Sequence, residues 1–507
     1  MLWTMRLVIF VFALVFGAGC WYVFAQTPSA QTTNTNVNGN MNANNASAED
    51  AAADWTPVPT NTNNLPDDQS AEAHEEEAAP ALEWAEPNPA YGHVVAPRVT
   101  LRSESNASSN IIATLDVVEN ESVEIMDSTR DFLRVKFPAN TEMEGGTRQQ
   151  DYDGWVEWGA VVPYTNALVV ETESGEVIGR VALDYGISTA AFSPDGSRAV
   201  FYGASGGDGH GESQSLAYEF DTESYKILRT LKTSTSGGFA SILYDDGGDL
   251  RPLLQTHLTS GDSMRKMLQP FRVKGDLFER SGDTIRPGAD GPLLFSRDGA
   301  TGFDIHSADE APGAISVDVI DVKSFTVRNS FPVEGTASEP WSYEYAVSPD
   351  GAEFFYRESE GSIRVVDTRT GLRVRETRPR VAEDFRGYLA NDSVVGDSLL
   401  IRYWQESESE EGGELRSFWL KADGETTPAE RGINNVVEAG GALYAVNDAG
   451  TRLFKLDADG RITERLKIAR PELKHRPKGS EEHTIMGLYA SPDGKHIVIF
   501  FGIPDGC

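Results

Sequence analysis

Cysteine is almost missing from this 507-residue sequence: Cys20 sits inside an apolar leader and Cys507 is the final residue. A disulfide framework is therefore excluded, as are C-x-x-C metal clusters and C-x-x-C-H haem attachment. Positive charge is scarce too. Lys and Arg number 44 against 78 Asp and Glu, a formal net charge of −34 without a basic patch, which repels phosphate and anionic surfaces and excludes nucleic acid as a partner. The 8 histidines are scattered, with no H-E-x-x-H pair.

Reactive constellations are equally thin. Gly203-Ala204-Ser205-Gly206-Gly207 satisfies G-x-S-x-G after a strand, but a nucleophile elbow needs a helix next, and Asp208-Gly209-His210-Gly211 is too rich in glycine to propagate one. One His and one Asp also fall short of a metal ligand set. Glu406 to Gly413 reads as a solvated excursion between strands, since no rigid loop fixes ligands for calcium. No catalytic, cofactor-binding or metal-binding residue is expected, and the chain is expected not to be an enzyme.

What the sequence does contain is repetition. Ala191-Phe192-Ser193-Pro194-Asp195-Gly196 precedes Arg198 to Tyr202, and its text returns at Ser348-Pro349-Asp350-Gly351, Ser491-Pro492-Asp493-Gly494 and, one substitution away, Ser296-Arg297-Asp298-Gly299. Proline presets the first central turn position, aspartate bonds its own backbone and glycine accepts the positive φ that closes the bend. With weaker copies at Gly247, Gly396 and Gly441, the corners recur every 45 to 53 residues. A strand-built repeat of about 40 to 50 residues signals a propeller.

A second turn alternates with the first, at Glu171–Gly175, Asp221–Tyr225, Arg272–Asp276, Asp321–Phe325, Asp367–Gly371, Lys421–Glu425 and Asp457–Arg461, each between β-branched runs. Two hairpins make one four-stranded blade. The hairpin at 168–183 has no partner upstream and the one at 485–501 none downstream, so the two orphans complete each other. The expected fold is all-β: a seven-bladed ring over 165–507 whose shared closing blade removes the open sheet edges. The corner aspartates Asp195, Asp350 and Asp493 are expected to be turn residues, not a ring of ligands.

These repeats resemble the WD-type and YVTN/TolB-like bacterial propellers, whose blades carry F-S-P-D-G and D-x-x-T-G. The Trp-Asp dipeptide of the WD family is missing, and three corners lack Ser-Pro-Asp. Some relatives of this fold are enzymes or redox subunits that use the central channel, which gives one alternative function.

Upstream, Arg6 and the apolar run from Leu7 to Phe16, continuing to Ala25, form an export signal over 1–25. Three fates compete: cleavage after Val23-Phe24-Ala25, retention of 7–25 as a membrane anchor, or lipidation of Cys20, because Gly17-Ala18-Gly19-Cys20 resembles a lipobox. Retention would make the chain a sensor ectodomain, a second alternative. Residues 26–90, rich in Asn, Thr, Ala and Glu, offer too little apolar surface to order and read as a disordered linker of ~60 residues.

Residues 91–164 carry short alternating strands at Arg98-Val99-Thr100-Leu101, Ile111 to Leu115, Ser122 to Met126, Phe132 to Phe137 and Gly154-Trp155-Val156, with Trp155 expected to cap a small core. The unit resembles the bacterial Src-homology-3-like domain, although Glu104-Ser105 replaces the family Gly-Pro, Asn120 replaces a turn glycine and the 138–153 loop is long. The resemblance implies a small barrel with an aromatic groove for cell-wall peptides, with Phe132, Tyr152, Trp155, Trp158 and Tyr164 as its candidate lining. The expected protein is thus exported to the periplasm or cell surface. It would bind a wall peptide, glycan or envelope protein, without a cofactor, and meet a membrane only through its N-terminal segment.

Overall fold

The computed structural model describes residues 82–502 apart from 118–120, 140–141, 144–145, 148–149, 185, 204–214, 234–236, 261–262, 283, 286–291, 308–314, 334–344, 359–360, 381–386, 396–397, 406–413, 430–432, 448 and 471–483. The leader, the linker to residue 81, Cys20, Cys507, Gly396 and the acidic excursion after Gln405 lie outside the described residues. Among the described residues there is no helix.

The repeats form a seven-bladed β-propeller of antiparallel four-stranded blades. Blades 1 to 6 occupy 187–233, 237–280, 293–333, 345–377, 387–428 and 433–467, and blade 7 joins the two ends of the repeat region. In blade 7 the strand Thr165–Glu171 pairs with His496–Gly502 in seven consecutive positions, from Thr165 opposite Gly502 to Glu171 opposite His496. Closure along this seam is as expected.

Seven separate apolar cores follow, one at each seam between blades. Thr165–Glu171 shows how the sequence builds two of them, because its neighbours point to opposite faces. Ala167 and Val169 pack toward blade 1, against Phe201, Tyr218 and Phe220, while Leu168 and Val170 pack toward blade 6, against Val437, Val446 and Leu453. All four are fully buried. That double burial is why the strand reads as a continuous apolar run, without polar alternation.

The corner text earns its repetition through one bond set. In blade 1, Ser193 Oγ donates to Asp195 Oδ1 at 2.6 Å and accepts from the Arg198 amide at 2.9 Å, while Asp195 Oδ1 accepts from the Ser197 amide at 3.0 Å. Gly196 closes the bend at φ +70°. Ser296, Ser348 and Ser491 repeat these bonds with Asp298, Asp350 and Asp493. The second turn locks onto the first: Thr222 Oγ1 donates to the Gly196 carbonyl and Thr368 Oγ1 to that of Gly351, each at 2.7 Å. Blade 7 makes the same bond across 322 residues, Thr172 Oγ1 to the Gly494 carbonyl at 3.0 Å.

Three details depart from the expected outline. The second corner turns on Gly248 rather than Gly247, because Asp245 stands where Ser193 stands in blade 1 and the bend closes three residues on, Gly248 N donating to the Asp245 carbonyl at 2.8 Å as Gly196 N does to that of Ser193. Tyr225 and Phe325 occupy the last position of their turns, where Gly371 stands in blade 4, with positive φ of 50° and 53°. Both rings are buried between blades. Finally, the expected linker ends early. Leu82–Ala85 pairs with Ile227–Thr233 as a fifth strand on blade 1. Leu82 is buried in the core between blades 1 and 2, and Trp84 lies 5.1 Å from the Phe278 ring with the Arg229 guanidinium 4.3 Å above it. Those two apolar side chains supply the burial that the preceding composition lacks.

Residues 90–163 form a separate seven-stranded antiparallel sheet. It wraps around its own core of Val94, Val99, Leu101, Val123, Ile125, Leu133, Val135, Phe137 and Val156. This unit is bonded to the propeller. From the outer strand of blade 7, Arg180 donates to the Arg130 carbonyl at 2.8 Å and the Ala469 carbonyl at 2.9 Å, and the Ala182 amide donates to Ser128 Oγ at 3.2 Å. Arg130 also pairs with Glu176 at 2.7 Å.

Candidate functional site

The five aromatic residues singled out in the sequence do not share one groove. On Tyr152–Glu157 the core-facing side chains are at alternate positions, so Tyr152, Gly154 and Val156, and then Trp158, face inward. Trp158 is buried, with Nε1 donating to the Thr129 carbonyl at 2.8 Å. Trp155 is out of that phase and lies on the opposite face, so it does not cap the core. Phe132, also out of phase with Leu133 and Val135, is buried opposite Glu157. Tyr164 is at the far end of the sheet, its ring 5.8 Å from that of His93 and its Oη 3.4 Å from Ser122 Oγ.

The outward face around Trp155 has a definite composition. Trp155 stands opposite Arg134 on one side and Arg102 on the other, and Arg102 in turn stands opposite Ile111, which is 59% exposed. Both guanidiniums are fixed. Arg134 makes two parallel bonds to Asp153, at 2.9 and 2.8 Å, and Arg102 donates to the Ser109 carbonyl at 3.0 Å. The arrangement offers a half-buried indole between the Arg102 guanidinium and the Arg134–Asp153 ion pair, suited to a planar or carboxylate-bearing group.

The corner aspartates are turn residues. The Ser193 hydroxyl, with the Ser197 amide and hydroxyl, holds the Asp195 carboxyl at about 2, and the Ser491 hydroxyl does the same for Asp493, also at about 2. Their oxygens are committed to the bend. Asp493 nonetheless borders a crevice of about 220 Å³ between blades 7 and 1, lined also by Phe192, Thr222, Glu223, Tyr225 and His496. Burial raises the Tyr225 phenol above its usual range. Of the Gly203 to Gly207 motif only Gly203 is described. It ends the strand Arg198–Gly203, where a Cβ would stand 2.0 Å from the Gly186 carbonyl oxygen, so glycine is required there by packing.

One cluster was not foreseen. Asp304 and His306 lie two apart on Thr301–Ser307, and Asp318 is the strand partner of Asp304, so all three share one face of blade 3. One ligand-type atom from each lies within 4.8 Å of the others. Asp304 is fully buried, and His306 Nδ1 is 3.2 Å from its Oδ2. Contact with Asp304, followed by the charge of both aspartates, raises the imidazole's proton affinity against the effect of burial. The available signal was D-x-H inside a strand, which spacing alone could not join to a residue on the next strand.

No protein-family model matches the chain, and no curated protein matches it. Among solved structures, it is similar to a chain of the crystal structure of the Mitotic Checkpoint Complex at 13% identity, over 66% of this chain and 95% of that one, with a TM-score of 0.37. It is also similar to Sqt1 of Chaetomium thermophilum at 12% identity, over 63% of this chain and 93% of that one, again with a TM-score of 0.37. Likeness at that level says nothing of what this chain binds.

Proposed function

We propose that this chain is an exported, non-enzymatic scaffold of the cell envelope. In this reading residues 90–163 are a bacterial Src-homology-3-like barrel fixed to the closing blade of a WD-type propeller, and the pair holds a wall peptide, a wall glycan or an envelope protein. The observation that carries the reading is Trp155, half-buried between the oriented guanidiniums of Arg102 and Arg134. A chain of formal net charge −34 keeps the Arg102 guanidinium and the Arg134–Asp153 pair beside an indole on an outward face, and the indole with Arg102 suits a carboxylate-bearing wall peptide. The bonds of Arg180 and Ser128 support a joint role, since they tie the hairpin between the strands Ser122–Ser128 and Phe132–Phe137 to the ring. Export rests on the leader sequence.

The test is co-sedimentation of the purified chain with insoluble peptidoglycan, beside Trp155→Ala. Enrichment of the wild type that is lost in the variant is expected. Equal recovery of the two proteins, or none of either, removes the wall ligand from the reading.

A further inference from the structure

We propose that Asp304, His306 and Asp318 form a binding site for a divalent transition-metal ion of the zinc or manganese class, set in the seam between blades 2 and 3. On the second strand of the blades, one position repeatedly points at the preceding blade. It is Phe201 in blade 1, Tyr356 in blade 4, Ile401 in blade 5, Ala445 in blade 6 and Ile499 in blade 7, each buried in a seam core. Blade 3 places Asp304 there, fully buried. The strand partner at that position is Tyr218, Phe418, Phe454 and Leu168 in blades 1, 5, 6 and 7, and Arg364 in blade 4. In blade 3 it is Asp318.

A seam position filled by apolar or aromatic residues in blades 1, 5, 6 and 7 has thus become two carboxylates facing each other, with an imidazole beside them. Among the described residues the buried apolar core of this seam is Leu253, Leu268, Ile320, Val322 and Phe325, with Leu243, Ile285, Leu293 and Phe295 packed against it. Like charges directly opposite on neighbouring strands are destabilising, and a cation held among the three groups offsets that repulsion.

The geometry fits such an ion. Ligands at about 2.0 to 2.2 Å from a common centre lie roughly 3 to 4 Å from one another, and the 3.2 Å between His306 Nδ1 and Asp304 Oδ2 falls in that range. Ser330 Oγ donates to Asp318 Oδ1 at 2.6 Å, the kind of outer bond that orients a ligating carboxylate. One imidazole among three donors favours zinc or manganese over calcium and magnesium, which take oxygen ligands. All three ligands come from adjacent strands of one blade, so binding needs no movement of the ring.

The chelator-stripped full chain is titrated with Zn²⁺, Mn²⁺ and Ca²⁺ by calorimetry, with thermal melts alongside. One equivalent of Zn²⁺ or Mn²⁺, a raised melting temperature and weaker binding of Ca²⁺ are expected. In His306→Gln and Asp318→Asn the affinity should fall at least about tenfold, and their metal-free melts report whether they fold. If neither folds, pulsed electron paramagnetic resonance of Mn²⁺ on the wild type reads coupling to an imidazole nitrogen. No stoichiometric uptake of Zn²⁺ or Mn²⁺, His306→Gln binding as tightly as the wild type, or bound Mn²⁺ without nitrogen coupling would each overturn the site.

Discussion

Removing residues 484–507 should abolish cooperative folding of the whole ring rather than trim one blade. The described part of that segment holds Ile485, Leu488, Ile497, Val498, Ile499, Phe500 and Phe501, none more than 7% exposed. At about 1.5 to 3 kcal/mol per buried side chain, their loss removes on the order of 10 to 20 kcal/mol, an upper figure because unfolded chains bury some surface already. Net stability of a folded domain is only about 5 to 15 kcal/mol. The damage also spreads to both neighbours, since Phe500 belongs to the core shared with blade 1 and Phe501 to the core shared with blade 6. Thr165–Glu171 would meanwhile be left as a bare, apolar sheet edge, a template for aggregation. Calorimetry and far-ultraviolet circular dichroism should find a cooperative transition in the intact chain and none in the truncated one, which trypsin should cleave throughout the ring. A truncated protein that keeps the intact chain's thermal transition would refute the reasoning.

Acid should weaken the corners. Asp195 and Asp493 sit at about 2 against an ordinary 3.8, so their contribution is complete above the unfolded value and is lost as pH falls through the folded one. Melting temperature should therefore drop between about pH 4 and pH 2, and Asp493→Asn should show a shallower drop; an unchanged slope in the variant would place the acid sensitivity elsewhere. The Tyr225 hydroxyl is buried without a hydrogen bond among the described residues, so Tyr225→Phe should stay within about 0.5 kcal/mol of the wild type in urea denaturation. Tyr225→Gly should lose roughly 2 kcal/mol net, because relief of about 1 to 2 kcal/mol at positive φ is outweighed by about 3 to 5 kcal/mol for the missing ring. A Tyr225→Phe loss above about 1.5 kcal/mol would mean that the hydroxyl has a partner.

The ring was legible because its turns are local chemistry. Ser193, Asp195 and Gly196 satisfy one another within six residues of chain, so the same letters must recur wherever the same bend does. The closing blade followed by counting hairpins, and the Thr172 bond to Gly494 repeats within it what Thr222 and Thr368 do inside single blades. Leu82–Ala85 was not legible. Four residues within a Glu, Pro and Ala-rich stretch carry no period, and their stability comes from a strand almost 150 residues downstream. Tyr225 and Phe325 hid for a related reason. Their turn positions ask for glycine locally, and only the seam, which buries both rings, explains why an aromatic is kept there.

Sites built across strands are harder to read than turns, because register decides them. Trp155 and Trp158 look alike in the sequence, yet an offset of three places them on opposite faces, one flanked by arginines and the other bonded to the Thr129 carbonyl. Asp304 is the sharper case. Aligning the second strands by their corners sets Phe201, Tyr356, Ile401, Ala445 and Ile499 in one column and makes a lone aspartate conspicuous. His306 then follows from the period of two, but Asp318 does not. Its place opposite Asp304 depends on the ladder that runs from Thr301 beside Asp321 to Ser307 beside Ile315, across a connection whose length differs from blade to blade. A spacing motif cannot span such a variable loop, so ligands on neighbouring strands become visible only when the propeller's register is known.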